Sequence, residues 1–160
     1  GLRKRAGLHF DRVDNVAVLT GDIHSSWAAD LNPNPYSPAS YDKASGAGSL
    51  AVEFVGTSVT SPGIDTDTTG AIAGAIRAYN PHFKYVQLTR RGYLLMDVNR
   101  DRVVGEWWYV DTVTSPSNVE SFAVAFETRA GENRLRPSAQ TPNRADPPAP
   151  APLTDKDTQP

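Results

Sequence analysis

An aspartate and a histidine stand two positions apart, at Asp22 and His24, directly after the apolar run of residues 15–20. Residues i and i+2 of an extended loop point to the same side, so we expect the carboxylate and the imidazole to reach one point. A hard carboxylate oxygen and an imidazole nitrogen together suit one or two metal ions. Gly21, just before them, favours a close backbone approach or an unusual torsion angle. The sequence therefore predicts a metal site after this run.

The same turn also has purely structural interpretations. Asp22 could cap a helix that starts at Ser25, with His24 packed as an ordinary loop residue. Ser25 could instead donate a hydrogen bond to a phosphate, although a serine after a loop is more commonly a cap. Glu53 is the one charge in a second apolar run, residues 49–57. It is either a partner for the second ring nitrogen of His24 or an outward-facing side chain on a half-exposed strand.

A second candidate site lies in residues 80–85, NPHFKY. His82 and Lys84 at the start of a strand could bind an anion such as a substrate phosphate. The alternative is a corner between a helix and a strand, in which the proline and the aromatic rings are structural. Arg90, Arg91 and Arg100 fall in turns, and we expect all three to be solvated.

The apolar pattern predicts the elements that position these side chains. The run 15–20 is apolar on both faces, which is typical of a strand covered on both sides in a layered α/β sheet. The loop 32–48 is rich in turn-forming residues, and its length is typical of functional or disordered loops. Ile72, Ile76 and Tyr79 predict one buried helix stripe. The other predictions are a helical turn over 27–31, a helix over 69–79, a β-meander over 83–88, 92–98 and 102–111, and strands over 49–57 and 119–126.

Composition narrows the class of protein. The chain has 160 residues, which is enough for one domain with a hydrophobic core. Its net charge is −2 and it lacks the basic patch that nucleic-acid binding requires. No apolar run approaches the roughly 20 residues that cross a bilayer. The absence of cysteine excludes disulfides and thiolate metal sites. The chain begins with Gly1 and its only methionine is Met96, so we expect a piece of a longer protein.

Four segments in register resemble the C-terminal part of the PhoD family of alkaline phosphatases, within the metallophosphoesterases. They span roughly residues 12–113 and read VAVLTGDIHSSWAADL, LAVEFVGTSVTSPG, AYNPHFKYVQLTRRGYLLMDV and EWWYVDTV. The resemblance implies an α/β, or α+β, fragment: the C-terminal portion of a β-sandwich flanked by helices, with a β-meander. We expect residues 1–14 to be a connector, 15–128 to be this domain portion and 129–160 to be a Pro-rich disordered tail.

The resemblance also implies hydrolysis of phosphate mono- or diesters by a periplasmic or secreted enzyme. The family's G-D-x-H motif matches residues 21–24 without departure. Asp22 and His24 would then be catalytic metal ligands, with His24 on an iron ion (Fe³⁺) and Asp22 on a calcium neighbour (Ca²⁺). Ser25 and His82 are the candidate contacts to the phosphate ester.

The family's remaining ligands lie upstream, and nothing before Asn15 supplies them. Two protein ligands do not hold such ions tightly, so we expect the chain alone to be inactive and to need the missing N-terminal segment as its partner. Its sheet should then expose an apolar edge. Two alternatives stay open. One is a small β-rich binding module in which the Asp-x-His turn is structural, and the other is a calcineurin-like phosphoesterase outside the PhoD branch.

Overall fold

The computed structural model describes residues 13–142, which form two four-stranded sheets and one helix. Most of the predicted connector and the end of the predicted tail lie outside these residues. The first sheet has the order β1-β3-β2-β4 and the second the order β5-β6-β7-β8. The elements are β1 (Ala17–Thr20), β2 (Ser26–Leu31), β3 (Ala51–Val55), α1 (Ala71–Tyr79), β4 (Phe83–Gln87), β5 (Gly92–Val98), β6 (Arg102–Val110), β7 (Glu120–Arg129) and β8 (Arg136–Ser138).

Within residues 13–142 the fold is mainly β, so the predicted α/β class is right only in part. β1 and β3 run parallel, and every other strand pair is antiparallel. The predicted helix over 69–79 and the three strands of the predicted meander are confirmed, but the meander is not, because β4 pairs with β2 in the first sheet and only β5 and β6 pair with each other in the second. The second sheet continues to Ser138, beyond the predicted domain boundary at residue 128.

The helical turn predicted over 27–31 is wrong, because these residues belong to β2. This strand is hydrogen-bonded to β3 on one side and to β4 on the other. Ala28 and Ala29 are fully buried in it, where small side chains let neighbouring layers approach closely. Pairing on both sides outweighs the helix propensity of alanine.

Within residues 13–142 the predicted cover on both sides of β1 is not present. β1 is the edge strand of the first sheet, and Leu19 is 58% exposed. Its start is held by residues that follow β7, because the backbone N–H of Asn15 donates to the side-chain oxygen of Asn133 and the side-chain oxygen of Asn15 accepts from the backbone N–H of Gly131. The predicted exposed apolar edge is therefore present in the described part of the chain.

The two sheets pack face to face around large aromatic side chains. Phe54 of the first sheet stacks on Trp107 of the second, with ring centroids 6.0 Å apart. The Trp107 indole donates a hydrogen bond to the carbonyl of Val55 at 2.9 Å, which joins the sheets directly. The other buried members of this core are Ala28, Val52, Tyr109, Phe126 and Leu135.

Helix α1 covers only one part of the outer face of the first sheet. Its N-terminus is capped from outside by Asp67, whose carboxylate accepts from the backbone N–H groups of Ile72 and Ala73, both at 2.9 Å. The predicted stripe is right for Ile76 and wrong for the other two residues, since Ile72 is 45% and Tyr79 80% exposed. The face that packs on β4 instead presents Ala73 and Ile76.

Gly105 of the second sheet lies directly against the ring of Phe54 of the first. A Cβ at this position would lie 2.7 Å from Cε1 of Phe54 and closer still to Cδ1. We therefore expect Gly105→Ala to lower the free energy of unfolding by about 1–3 kcal/mol through overpacking. Urea denaturation followed by tryptophan fluorescence measures the change.

Gly74, in the middle of α1, is the matched control. A Cβ there meets nothing within 4 Å. Gly74→Ala should therefore raise the free energy of unfolding by about 0.5–1 kcal/mol, because alanine loses less backbone entropy in a helix. Equal effects of the two substitutions would contradict the described packing of Phe54 on Gly105.

Candidate functional site

The turn between β1 and β2 lies at the carboxyl ends of the two parallel strands, β1 and β3. It is not the extended loop that the sequence predicts. Asp22 and His24 have φ angles of 70° and 55°, and the backbone N–H of Ile23 bonds to the carbonyl of Gly21 at 2.8 Å around Asp22. Non-glycine residues seldom adopt such angles, and they concentrate at functional sites. The unusual torsions therefore fall on the two candidate ligands and not on Gly21.

The His24 ring is held through its Nδ1 atom, which lies 2.6 Å from the carbonyl oxygen of Pro62. A carbonyl only accepts, so Nδ1 carries the proton, and a neutral ring then presents its lone pair at Nε2. This is the form in which histidine binds a metal ion. Glu53 is not the partner of His24, because its carboxylate accepts from the hydroxyl of Thr20 at 2.9 Å.

Asp22 is exposed, and within residues 13–142 its carboxylate has no hydrogen-bond or ion-pair partner. The capping interpretation is wrong, because a strand and not a helix follows the turn. The carboxylate of Asp22 and Nε2 of His24 are suitable oxygen and nitrogen donors for a metal ion. The described residues hold no group of three or more His, Cys, Asp or Glu side chains that could bind one. Asp22 and His24 are thus two potential donors on one turn.

Ser25 points into the protein and not toward the exposed turn. It is fully buried, and its hydroxyl accepts a hydrogen bond from the indole of Trp27 at 2.7 Å. The same hydroxyl lies 3.4 Å from the carbonyl of Ile23. Its contacts are therefore those of a residue that anchors the start of β2.

His82 lies at the opposite end of the first sheet from His24. β2 and β4 are antiparallel, and each histidine precedes the start of its own strand. The carbonyl of His82 accepts from the backbone of Asp30 near the far end of β2. A six-residue strand is about 20 Å long, so the structure does not bring His82 and His24 together.

Lys84 is engaged in a buried ion pair and is not free to bind an anion. Its Nζ atom lies 3.1 Å from the carboxylate of Asp30, which is fully buried. The same carboxylate accepts from the hydroxyl of Tyr41 at 2.8 Å and from the backbone of Leu135 at 2.7 Å. Burial and the hydrogen bond to Asp30 raise the pKa of the Tyr41 hydroxyl. Asp30 is thus a structural anchor for three separate segments.

Arg91 is the residue near the site that the sequence did not reveal. It is only 7% exposed, against the prediction that it is solvated, whereas the neighbouring Arg90 is exposed. Its guanidinium donates to backbone carbonyls of Ser61 and Thr89 and pairs with Asp65. Nothing in the turn-like sequence of residues 89–91 distinguishes the buried arginine from the exposed one.

The outer face of the first sheet is open next to the turn. A groove of about 370 Å³ runs there, and its walls are mainly apolar. Ile23, at the centre of the turn, is 52% exposed. The residues that line the groove are Thr20, Gly21, Ile23, Trp27, Ala29, Glu53, Val55 and Phe83.

The comparisons with known proteins place the chain among phosphatases. The family model of PhoD-like phosphatases matches residues 5–107, which include the turn, both parallel strands and most of β6. The chain belongs to the PhoD-like phosphatase family. In the part of the chain that the structure describes, no helix is long and apolar enough to cross a membrane.

Two relatives support this assignment. Alkaline phosphatase D of Bacillus subtilis (strain 168) is 32% identical over 129 residues, which are 81% of this chain and 21% of that protein. A solved structure of PhoD superposes with a TM-score of 0.67 and 28% identity, covering 89% of this chain and 26% of the other. The chain therefore spans between a fifth and about a quarter of the length of these relatives.

The environment of His82 generates a prediction about pH. Burial lowers the pKa of His82; Asp30 acts in the opposite direction and Lys84 in the same direction. Its Nδ1 is buried and has no hydrogen-bond partner among residues 13–142. Because the folded pKa lies below the unfolded value of about 6.5, the stability contributed by neutral His82 is present above that pH and is lost as the pH falls through it.

We expect the free energy of unfolding to fall more steeply between about pH 6.5 and pH 5 in the unsubstituted chain than in His82→Gln. Urea denaturation at intervals of pH measures both slopes. At about pH 8, where the ring is neutral in both states, the two proteins should respond to pH in parallel. Parallel curves across the whole range would contradict the role of burial at His82.

Proposed function

We propose that this chain is the C-terminal portion of a metal-dependent PhoD-like phosphatase, in which Asp22 and His24 are two of the metal ligands. The observation that carries the proposal is the hydrogen bond from Nδ1 of His24 to the carbonyl of Pro62. It leaves Nε2 unprotonated in the neutral ring, on a turn that also exposes the carboxylate of Asp22. The turn lies inside the segment that matches the family.

The ions that the family resemblance implies are iron and calcium. Imidazole suits iron and a carboxylate suits calcium, so Nε2 of His24 and the carboxylate of Asp22 fit such a pair. Metal ions in centres of this type activate water and neutralise the charge of the phosphoryl oxygens. The chain's own contribution is to fix the two donors, through the Pro62 carbonyl and the torsions of the turn.

The remaining ligands are supplied, on this proposal, by polypeptide outside the 160 residues. Parallel strands are normally covered on both faces, but β1, the edge strand of its sheet, leaves Leu19 exposed. The apolar groove beside the turn is open as well. We place the missing N-terminal segment of the same enzyme along this edge and groove. The family resemblance further implies a periplasmic or secreted enzyme.

Hydrolysis by the isolated chain tests its incompleteness. With p-nitrophenyl phosphate or its diester, in the presence of calcium and iron, we expect no rate above that of buffer. Two donors alone do not hold the ions. Intact alkaline phosphatase D of Bacillus subtilis, assayed in parallel, is the positive control. A hydrolysis rate that is proportional to the concentration of the isolated chain and is absent in His24→Ala would show that the chain is catalytically active by itself.

The roles of Asp22 and His24 are tested in the complete gene product that carries this chain. Because loss of a group that only orients a ligand already costs about 10–100-fold, we expect Asp22→Ala and His24→Ala each to lower kcat/KM by at least about 100-fold. The amount of bound metal per protein, measured by elemental analysis, should fall in the same two variants.

His82→Gln is the matched control, since this histidine lies at the other end of the sheet. It should leave kcat/KM and metal content within about twofold. If Asp22→Ala and His24→Ala also left both unchanged, the turn would be structural, as expected for a small binding module.

A further inference from the structure

Three chain segments meet around His24. They are the turn of residues 21–25, the segment that follows β3, and the corner between β4 and β5. Arg91, in that corner, contacts the segment that follows β3. Its Nε donates to the carbonyl of Ser61 at 2.7 Å and its Nη1 to the carbonyl of Thr89 at 2.6 Å. Its Nη2 pairs with Asp65 at 2.5 Å.

The segment that Arg91 contacts also touches His24. The carbonyl of Pro62, next to Ser61, accepts from Nδ1 of His24. A Cβ on Gly63 would lie 2.7 Å from the carbonyl oxygen of His24 and 3.2 Å from both terminal nitrogens of Arg91. Gly63 is thus packed between the backbone of His24 and the guanidinium. Gly63 alone lies between the buried guanidinium of Arg91 and the candidate ligand His24.

We propose that Arg91 is a positioning residue for His24, an inference that rests on the proposed role of His24 as a metal ligand. The guanidinium fixes the backbone from Ser61 to Gly63, and this holds the carbonyl of Pro62 against Nδ1. The ring is thereby kept in the tautomer and orientation that leave Nε2 for a metal ion. His24 also has a sparsely populated φ of 55°, which persists only when surrounding contacts determine it.

The geometry explains why arginine occupies this position. Its three contacts diverge from one planar group to Ser61, Thr89 and Asp65. A lysine ammonium is a compact point charge on a flexible stem and cannot reproduce this fork. Asp65 is 60% exposed, so its ion pair is the weakest of the three restraints. The backbone carbonyls are the contacts that hold the segment.

The tautomer of His24 is the direct test. In the ¹⁵N-labelled 160-residue chain at about pH 8, where histidine is neutral, the ring nitrogen shifts report which nitrogen carries the proton. The His24 signals are assigned by their absence from His24→Gln. We expect the Nδ1–H form in the unsubstituted chain. Arg91→Lys should shift the ring toward the Nε2–H form that free imidazole prefers, and the matched control Arg90→Lys should not.

Two further variants sharpen the result. A Cβ on Gly63 would press on both the Arg91 guanidinium and the His24 carbonyl, so Gly63→Ala should also change the His24 tautomer. Asp65→Asn should leave the tautomer unchanged. If Arg91→Lys and Gly63→Ala are folded by circular dichroism and both keep the Nδ1–H form, the proposal is wrong. If Arg91→Lys fails to fold, Gly63→Ala decides by itself.

This experiment needs neither metal nor substrate, so its failure is distinct from failure of the proposed function. If the tautomer depends on Arg91 but His24→Ala leaves the complete enzyme active, Arg91 positions a structural histidine and the metal role is overturned. If both tests succeed, Arg91→Lys in the complete gene product should lower metal affinity by about 10–100-fold. Unchanged affinity would overturn the positioning role.

Discussion

The hydrogen bond from the indole of Trp107 to the carbonyl of Val55 joins the two sheets at the edge where the candidate site lies. Val55 is the last residue of β3, and the chain continues from it to Pro62 and Gly63. β1 runs parallel to β3 and ends beside it, so the turn with Asp22 and His24 emerges at the same edge. The turn and the segment that leads to Pro62 therefore both leave the first sheet beside the strand end that this hydrogen bond holds.

The two ends of the first sheet are built in opposite ways. At one end Asp30 is buried with Lys84 and Tyr41, and its carboxylate reaches the backbone of Leu135. Such a buried ion pair is expensive to break from either side, because one charge would stay uncompensated. At the other end Asp22 is exposed in a left-handed conformation. The rigid end keeps the strands in register, and the open end carries the groups available for chemistry.

The sequence was sufficient for the family, for most strands and for the place of the Asp22 turn, since these follow from local pattern and from resemblance. It was insufficient for β2, because a short stretch containing Ala28 and Ala29 has no periodicity that separates strand from helix. The exposure of β1 depends on which polypeptide lies beside it, and the apolar pattern of this one strand does not reveal its neighbours. The Pro62 carbonyl and buried Arg91 were missed because a backbone acceptor leaves no side-chain signal and burial is a long-range property.

The hydrogen bonds between Asn15 and residues 131–133 affect the order in which contacts form as the chain is synthesised. Contacts between positions so far apart form late, because the loop between them must close before they contribute. On a ribosome, the start of β1 gains these contacts only after the second sheet has been synthesised through β7. The strand that leads into Asp22 and His24 therefore lacks the contacts at its start until most of the second sheet has been made. Its pairing with β3 and the hydrogen bond of His24 to Pro62 need only the first 62 residues, so the candidate site can form before the strand is held at its other end.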